Sequence, residues 1–577
     1  MHGTFGLLVL ICGPVFVALI VACVLLRFAE KDASWLSFLT CVAGVAIAID
    51  VVAVMPYDVW HALSLGSDEN NSSLLRWTWA GTYWTTVLLS YLLCPILMEY
   101  ENSGDFTVAA RLRFSLRRNA VFYGVSTFMM VVLLIILVAR GEVKGSVQSW
   151  CIAASNAWGL FVLTVLMGFG LVAVPRHFWS LAKPSVLLQD FYRNAVVKDE
   201  TRLTRLFELQ DAVEQARLEL CAMTPDAEET QGVAFATVSH MTDRCECLHM
   251  ELSRSRVFQK GDTEGCLPLV PRPSIARFAE VHRTLKAAAL EARRASCCFD
   301  SHIHRCIFFE DLEHGDYRAA VNMLGIRRTA MAGTLRSRLC TGMVKLCQVL
   351  LTFWLRHVRA RFLLALGHAS CIFSIIVVLG QLTLFANGWH LSLLSLFFLH
   401  DYGPWLTQVF CLVPLAYTTY TAYFSIFRLK ISGWYGLYGN RHTDIGSLLW
   451  CASILARLAA PLCYHFLLLI RVKGTTFQAF MGQMNIVPVL GESFNQVFPC
   501  LIALLCCCNV FNVYSRFLQL FTLGIMEFEF GEESAGDDPV TDGKQLVDRE
   551  RRRLAEEVDL EVEGRAAPFF ASAAPAG

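Results

Sequence analysis

The chain has 577 residues, 55% of them hydrophobic and only 17% charged, with a mean hydropathy of +0.48. Soluble domains usually carry about a quarter charged residues, so a purely water-soluble protein is excluded. The 49 basic and 49 acidic side chains cancel, which leaves no basic footprint for nucleic acid.

A hydrocarbon core about 30 Å thick is crossed by about 20 apolar residues in a helix. In chain order, nine stretches have that length and little charge: Phe5 to Leu26, Trp35 to Pro56, Trp77 to Met98, Ala120 to Val138, Trp150 to Val174, Phe362 to Ala386, Trp405 to Phe427, Leu448 to Ile470 and Val497 to Leu520. They are too long for barrel strands, and lipid offers the backbone no other hydrogen-bond partner, so helices are expected. The first lacks the basic flank and small-residue cleavage site of a signal peptide and is read as a retained span. The fold class predicted is all-α: a polytopic transmembrane bundle of about nine spans.

Four regions follow: an N-terminal membrane half (1–174, spans 1–5), an insert (175–361), a C-terminal membrane half (362–523, spans 6–9) and an acidic, partly disordered tail (524–577). In the insert, Leu206, Leu209, Val213, Ala216 and Leu220, then Phe278, Val281, Leu285, Ala288 and Ala292, follow a 3-4 spacing. That pattern predicts a coiled-coil-like helical hairpin. The stretch between, with Pro225, Gly261, Gly265, Pro268, Pro271 and Pro273, is expected to be a loop. The run Glu527 to Asp538 is expected to be a solvated acidic tail. Phe477 to Gln496 is expected to pack as an outer loop or a re-entrant segment, and Trp389 to Leu399 to lie in the interface.

Basic residues set the orientation. Arg27, Lys31, Arg111, Arg113, Arg117, Arg118, Arg428, Lys430 and Arg441 fall on one side, against Arg76, Arg140, Lys144, Arg471 and Lys473 on the other. The N-terminus is therefore expected outside, with the insert and C-terminus in the cytosol of a plasma-membrane or endomembrane protein. Asn70 and Asn71 open overlapping N-x-[ST] acceptors in an outside loop and are candidates for glycosylation. None of the 22 cysteines lies in a segment assigned outside, so a disulfide framework is not expected.

Ionisable side chains deep in a span are expensive and mark candidate sites. Arg457 lies about nine residues into the eighth span, too deep to snorkel. Asp50 in the second span is its natural candidate partner, and His465 completes the intramembrane polar set. His240, Cys245, Cys247 and His249, and then Cys297, Cys298, His302, His304 and Cys306, lack the paired C-x-x-C spacing of structural zinc, so no metal is expected. The chain contains no H-E-x-x-H and no G-x-S-x-G, and Gln545 stands where a phosphate loop needs a hydroxyl residue after Gly543-Lys544. Neither a cofactor nor an enzyme activity is expected.

Several strings occur in order: Pro56-Tyr57-Asp58-Val59, Tyr83-Trp84-Thr85 with Pro95, Ser103-Gly104-Asp105-Phe106, Ala153 to Phe161 with Asn156 and Trp158, and Gly168 to Val172. After the insert come Phe373 to Val378, His442-Thr443-Asp444, Arg457-Leu458 with Pro461, Met481-Gly482, and Gly543 to Val547 with Arg549-Glu550. Together they resemble the limb-region membrane protein family, most closely its domain-containing protein 2 branch. The resemblance implies nine spans, an outside N-terminus and a large cytosolic loop. It also implies a non-enzymatic modulator of G-protein-coupled receptor signalling that meets a cytosolic protein partner through residues 175–361. The alternative it implies is a transporter or receptor for a small hydrophobic or amphipathic ligand, held between the helices near Arg457.

Overall fold

The computed structural model describes residues 2–30, 33–64, 69–139, 147–221, 229–253, 275–323, 337–383, 392–398, 403–429, 436–439, 441–472, 474–481, 492–511, 513 and 539–571. These residues form helices and no strand beyond a single bridge between Ala29 and Thr443. Six helical stretches are long and apolar enough to cross a membrane: Trp35–Ser64, Ser73–Asn102, Trp158–Ala182, Lys345–Leu382, Pro404–Arg428 and Ile445–Ile470. The first and ninth expected spans fall on α1 (His2–Leu25) and α17 (Glu492–Val510), whose described apolar parts, Cys12–Leu25 and Cys500–Val510, are shorter. The fourth falls on α5 (Val108–Ala139), where Val121, Phe122, Val125 and Phe128 point outward.

The bundle is centred on α15 (Ile445–Ile470), which is buried over 72% of its apolar window, against 17% for the stretch Ser73–Asn102. It packs against α2 (Trp35–Ser64), α4 (Cys94–Asn102), α6 (Val147–Ala182) and α14 (Pro404–Arg428). Small residues bring the axes close. A Cβ added at Gly159 of α6 would stand 2.4 Å from Pro461 Cγ on α15, a contact that gains dispersion energy only while the site stays empty. Asp444 starts α15 as its N-cap, accepting from Ser447 N at 2.9 Å, and Arg471 ends it in the left-handed conformation at φ +57°. These devices satisfy groups that a helix end leaves open.

Outside the bundle, α7 (Pro184–Cys221), α8 (Glu229–Ser253) and α9 (Ile275–Glu313) share one apolar core. Leu206, Leu209, Val213 and Ala216 of α7 meet Ala234, Val238 and Cys245 of α8 and Phe278, Val281, Leu285 and Ala292 of α9. This core of the insert is thus built from three helices and not from a two-helix hairpin: α8 occupies part of the stretch expected to be a loop. Its 3-4 stripe of Ala234, Val238, Met241, Cys245 and Leu248 is interleaved with Ser, Thr, His and Asp, which lowers the mean hydropathy without breaking the period. The glycines and prolines that marked a loop, Gly261 to Pro273, lie outside the described residues.

Val213 has no exposed surface. Val213→Asp is expected to cost several kcal/mol, because the core offers the carboxylate no partner. Loss of hydrogen-exchange protection in α7 and α9 of the full-length protein would record it, and unchanged protection would disprove the shared core.

A second core joins the near ends of α7 and α9 to the tail. Leu188, Tyr192 and Ala195 of α7 pack with Phe299, Ile303, Cys306 and Ile307 of α9, with Ala320 and Val321 of α10 (Tyr317–Met323), and with Val547 of α18 (Pro539–Ala571). The tail therefore folds back onto the insert from Pro539 onward, within the region 524–577 that was expected to be acidic and partly disordered. The acidic run before it lies outside the described residues.

Candidate functional site

Proline shapes the deepest polar site. Pro95 has no N–H, so in the stretch Ser73–Asn102 it cannot donate to the carbonyl of Tyr91 one turn earlier. The helix answers with a π-turn over Leu88–Leu93, in which Cys94 N–H reaches back to Leu89 O. That donor is then lost to Ser90 O, and the next residue is again the proline. Two carbonyls at membrane depth are freed, and lipid cannot satisfy either. Arg457 Nη2 and Ser453 Oγ (3.1 Å), one turn apart on α15, both donate to Ser90 O. Tyr123 of α5 donates its hydroxyl to Tyr91 O. The Arg457 guanidinium also lies 4.4 Å from the Tyr91 ring centroid, a cation–π contact strengthened by desolvation.

Arg457 is therefore held by one carbonyl and an aromatic face. Among the described residues it makes no ion pair with Asp50, the partner expected for it. Its Nε is buried with no hydrogen-bond partner among them, so the fork keeps donor capacity. Asp50 instead lines a separate cavity beside Thr78, Thr82 and Thr85. His465 is buried on α15, and its Nε2 likewise has no partner among the described residues.

Asp58, about two turns beyond Asp50 along α2, is a fully engaged carboxylate. It is wholly buried and accepts from Trp79 Nε1 at 3.1 Å, Thr476 N at 3.0 Å and Phe477 N at 2.8 Å. The two backbone donors open the short helix α16 (Thr476–Met481), so one side chain from α2 caps α16 and holds α3 (Glu69–Val87) through Trp79. Phe477 closes the knot edge-on to Trp79, with centroids 4.9 Å apart.

The face where the bundle meets the insert is polar. Arg294 of α9 donates to Asp444 and, at 3.2 Å, to Ser447. Arg293 pairs with Glu30 at 2.8 Å, and Lys286 reaches Glu101 O. The turn after α4 fits against α9 so closely that a Cβ at Gly104 would stand 1.9 Å from Ala279 O. His282 Nδ1 bonds Gly104 O at 2.8 Å, which requires the proton on that nitrogen.

Burial, helped by the positive charges of Lys286 and Arg111, lowers the His282 pKa below its ordinary value. Only the unfolded or undocked chain then takes up a proton near pH 6.5. The stability contributed by the neutral imidazole is full above that pH and is lost as pH falls through it. The protection factor around Gly104, with exchange referred to its intrinsic rate at each pH, is expected to fall between neutral pH and about pH 5.5. His282→Gln should flatten that dependence, and an equally steep profile in the variant would assign it to another group.

The remaining sequence candidates are spread through the molecule. Trp158 of α6 is exposed, and Asn156 lies two residues earlier on the same helix. Pro461 meets Gly159, as described. Asn70 and Asn71 fall in the first turn of α3, and Gly482 lies outside the described residues. In the insert, burial pushes the Cys245 thiol up to about 11 and Cys306 up to about 12. His302 Nε2 is spent on Phe191 O and His304 Nδ1 on Asp300 O. Among the described residues, no three His, Cys, Asp or Glu side chains converge as a metal site.

Sequence reasoning missed Ser90, Tyr91, Tyr123 and Ser453, and the cue was available. A proline in mid-span always leaves a carbonyl that something must satisfy.

A family described as LMBR1-like membrane protein matches residues 6–514. The chain is 28% identical over 494 residues to the LMBR1 domain-containing protein 2 homolog of Drosophila melanogaster, covering 82% of this chain and 68% of that one. It is 26% identical over 493 residues to LMBR1 domain-containing protein 2 homolog A of Dictyostelium discoideum, covering 83% and 63%. It is 25% identical over 490 residues to the G-protein coupled receptor-associated protein LMBRD2 of Homo sapiens, covering 82% and 68%. The chain thus spans about two thirds of the length of these relatives. No solved structure matches it.

Proposed function

For this chain, which belongs to the LMBR1-like membrane protein family, we propose a non-enzymatic, receptor-associated adaptor that relays between a membrane partner and the cytosol. The partner class follows the name of the human relative, a G-protein coupled receptor-associated protein. The observation that carries the reading is the polar dock of α9 on the bundle. Arg294–Asp444, Arg293–Glu30 and His282–Gly104 tie the insert to the start of the central helix α15 and to the turn after α4. A displacement of either element in the membrane is passed to the insert without a flexible joint. Nine spans, an outside N-terminus and a cytosolic insert complete the proposal, supported by the arginine distribution.

The test is proximity labelling from a tag on the insert of the full-length protein, co-expressed with a panel of G-protein-coupled receptors. Receptors should be enriched over an unrelated polytopic membrane protein, and Arg294→Ala should reduce that enrichment severalfold at equal surface expression. No enriched receptor, or enrichment indifferent to Arg294, would reject the relay.

A second reading, a site for a small amphipathic ligand near Arg457, is favoured by the unpartnered Nε of that side chain. Arg457→Lys keeps one donor for Ser90 O but loses the planar fork. Normal folding with loss of ligand binding would support the site. Retained binding would leave Arg457 as a strut for the π-turn.

A further inference from the structure

Midway along α2, Asp50 faces α3 across a cavity of about 190 Å³. Three threonines of α3 line the same space, Thr78, Thr82 and Thr85, and their 4-3 spacing puts them on one helical face. Two of those hydroxyls have already given their hydrogens to their own helix: Thr78 Oγ1 donates to Leu74 O at 2.9 Å and Thr85 Oγ1 to Gly81 O at 2.7 Å. What they retain toward the cavity is lone pairs. Trp79 forms another part of the wall, and its single N–H is spent on Asp58, so the indole offers a π surface and no donor. The rest of the lining is Pro14 of α1 with valine and isoleucine side chains of α2.

The cavity is therefore rich in acceptors, poor in donors and largely apolar. Among the described residues no hydrogen bond or ion pair reaches the Asp50 carboxylate. An uncompensated carboxylate halfway along a membrane span is strongly disfavoured, and a counter-charge is the complement it lacks. The geometry points to a binding site for a small organic ammonium, with the charged nitrogen on Asp50 and the threonine oxygens and the carbon skeleton against Trp79, Pro14 and the α2 side chains. An ammonium supplies three donors for these acceptors, and an aromatic face attracts a cation. At about 30 Å³ per water the cavity has the volume of about six waters, enough for an amine on a short chain or a single ring. The apolar walls favour such a molecule over a bare alkali ion, which would have to carry several waters into them. Trp79 also connects the site to the Asp58 knot, so an occupant pressing on the indole acts directly on the cap of α16. This site is independent of the receptor relay proposed above, because its binding is measured on the isolated protein.

The probe is 2-phenylethylammonium, compared with its neutral analogue 2-phenylethanol, on full-length protein in lipid nanodiscs, with binding read by calorimetry and by the thermal unfolding midpoint. The amine should bind at least about tenfold more tightly than the alcohol and raise the midpoint, as a charge-assisted hydrogen bond implies. Asp50→Asn, which keeps the shape and removes a charge from the membrane, should abolish that preference while leaving the unliganded midpoint unchanged or higher. Should Asp50→Asn fail to fold, Thr82→Val leaves the carboxylate in place and should weaken the amine severalfold and the alcohol little. Equal binding of amine and alcohol would overturn the proposal. So would unaltered amine affinity in Asp50→Asn, or in Thr82→Val where that variant alone is testable. Complete displacement of the amine by sodium, with sodium alone stabilising the protein, would make this an alkali-ion site and also overturn it.

Discussion

Asp58→Ala is expected to lower the stability of the protein by about 3–9 kcal/mol, because three N–H donors lose their acceptor and each stranded donor costs about 1–3 kcal/mol. The donors are Trp79 Nε1 and the amides of Thr476 and Phe477, which have no other acceptor among the described residues. The side chain has no exposed surface, so water does not replace the lost oxygens without opening the site. Exchange of the Thr476 and Phe477 amides should rise sharply, and the unfolding midpoint of the full-length protein should fall. Asp58→Asn should be intermediate, since its amide keeps one acceptor oxygen but turns an NH₂ group toward a donor. An unchanged midpoint together with protected Thr476 and Phe477 amides in Asp58→Ala would show that α16 is held by other means.

Gly543→Ala is the second large effect, although it adds a single carbon. A Cβ there would lie 2.0 Å from the carbonyl oxygen of Tyr192 and 2.5 Å from its carbonyl carbon, and backbone inside α7 cannot yield as a side-chain tip can. The tail helix is expected to lift off α7. Arg551 would then leave Glu310 (2.7 Å) and Asp311 (2.9 Å), two carboxylates that are each 5% exposed. The carboxylates are buried but Arg551 is 39% exposed, so losing these contacts costs about 1–3 kcal/mol, and buried Val547 loses its place as well. Limited proteolysis should cut the variant near Pro539 while the wild type resists. Tail resistance equal to that of the wild type would refute the docking.

The helical plan was legible because both solvents write it into the chain: lipid demands long uncharged runs, and water demands a 3-4 stripe. The fit failed where composition masked the period. Helix α8 carries its stripe among serines, threonines and histidines, so neighbouring prolines outweighed it. The tail helix follows an acidic run, and charge was taken for solvation although Val547 and Gly543 sit on its buried face.

Site residues were legible as positions and only partly as roles. Arg457 stood out because it is charged and deep, but its partner is a carbonyl, and carbonyls are invisible in a list of side chains. The converse holds for Asp444 and Gly104. Each belonged to a string that resembles the family, and only the fold shows them meeting α9 from segments 340 residues apart in the numbering.

The π-turn has a consequence for the order of biosynthesis. Ser90 O and Arg457 are 367 residues apart in sequence, so at about 5–20 residues per second the arginine leaves the ribosome roughly 20–70 s after the serine. A newly inserted third span spends that interval without its guanidinium and without Ser453. Pro95 frees Ser90 O within the helix itself, an open carbonyl in lipid is costly, and the donors that satisfy it arrive only with α15. Adding the extra residue of the π-turn rotates everything downstream by about 100° about the helix axis, and with it the segment Cys94–Asn102 that leads to the dock at Gly104. Arrival of α15 thereby fixes the facing of a helix inserted long before it, the one that leads to the turn at Gly104 on which α9 docks.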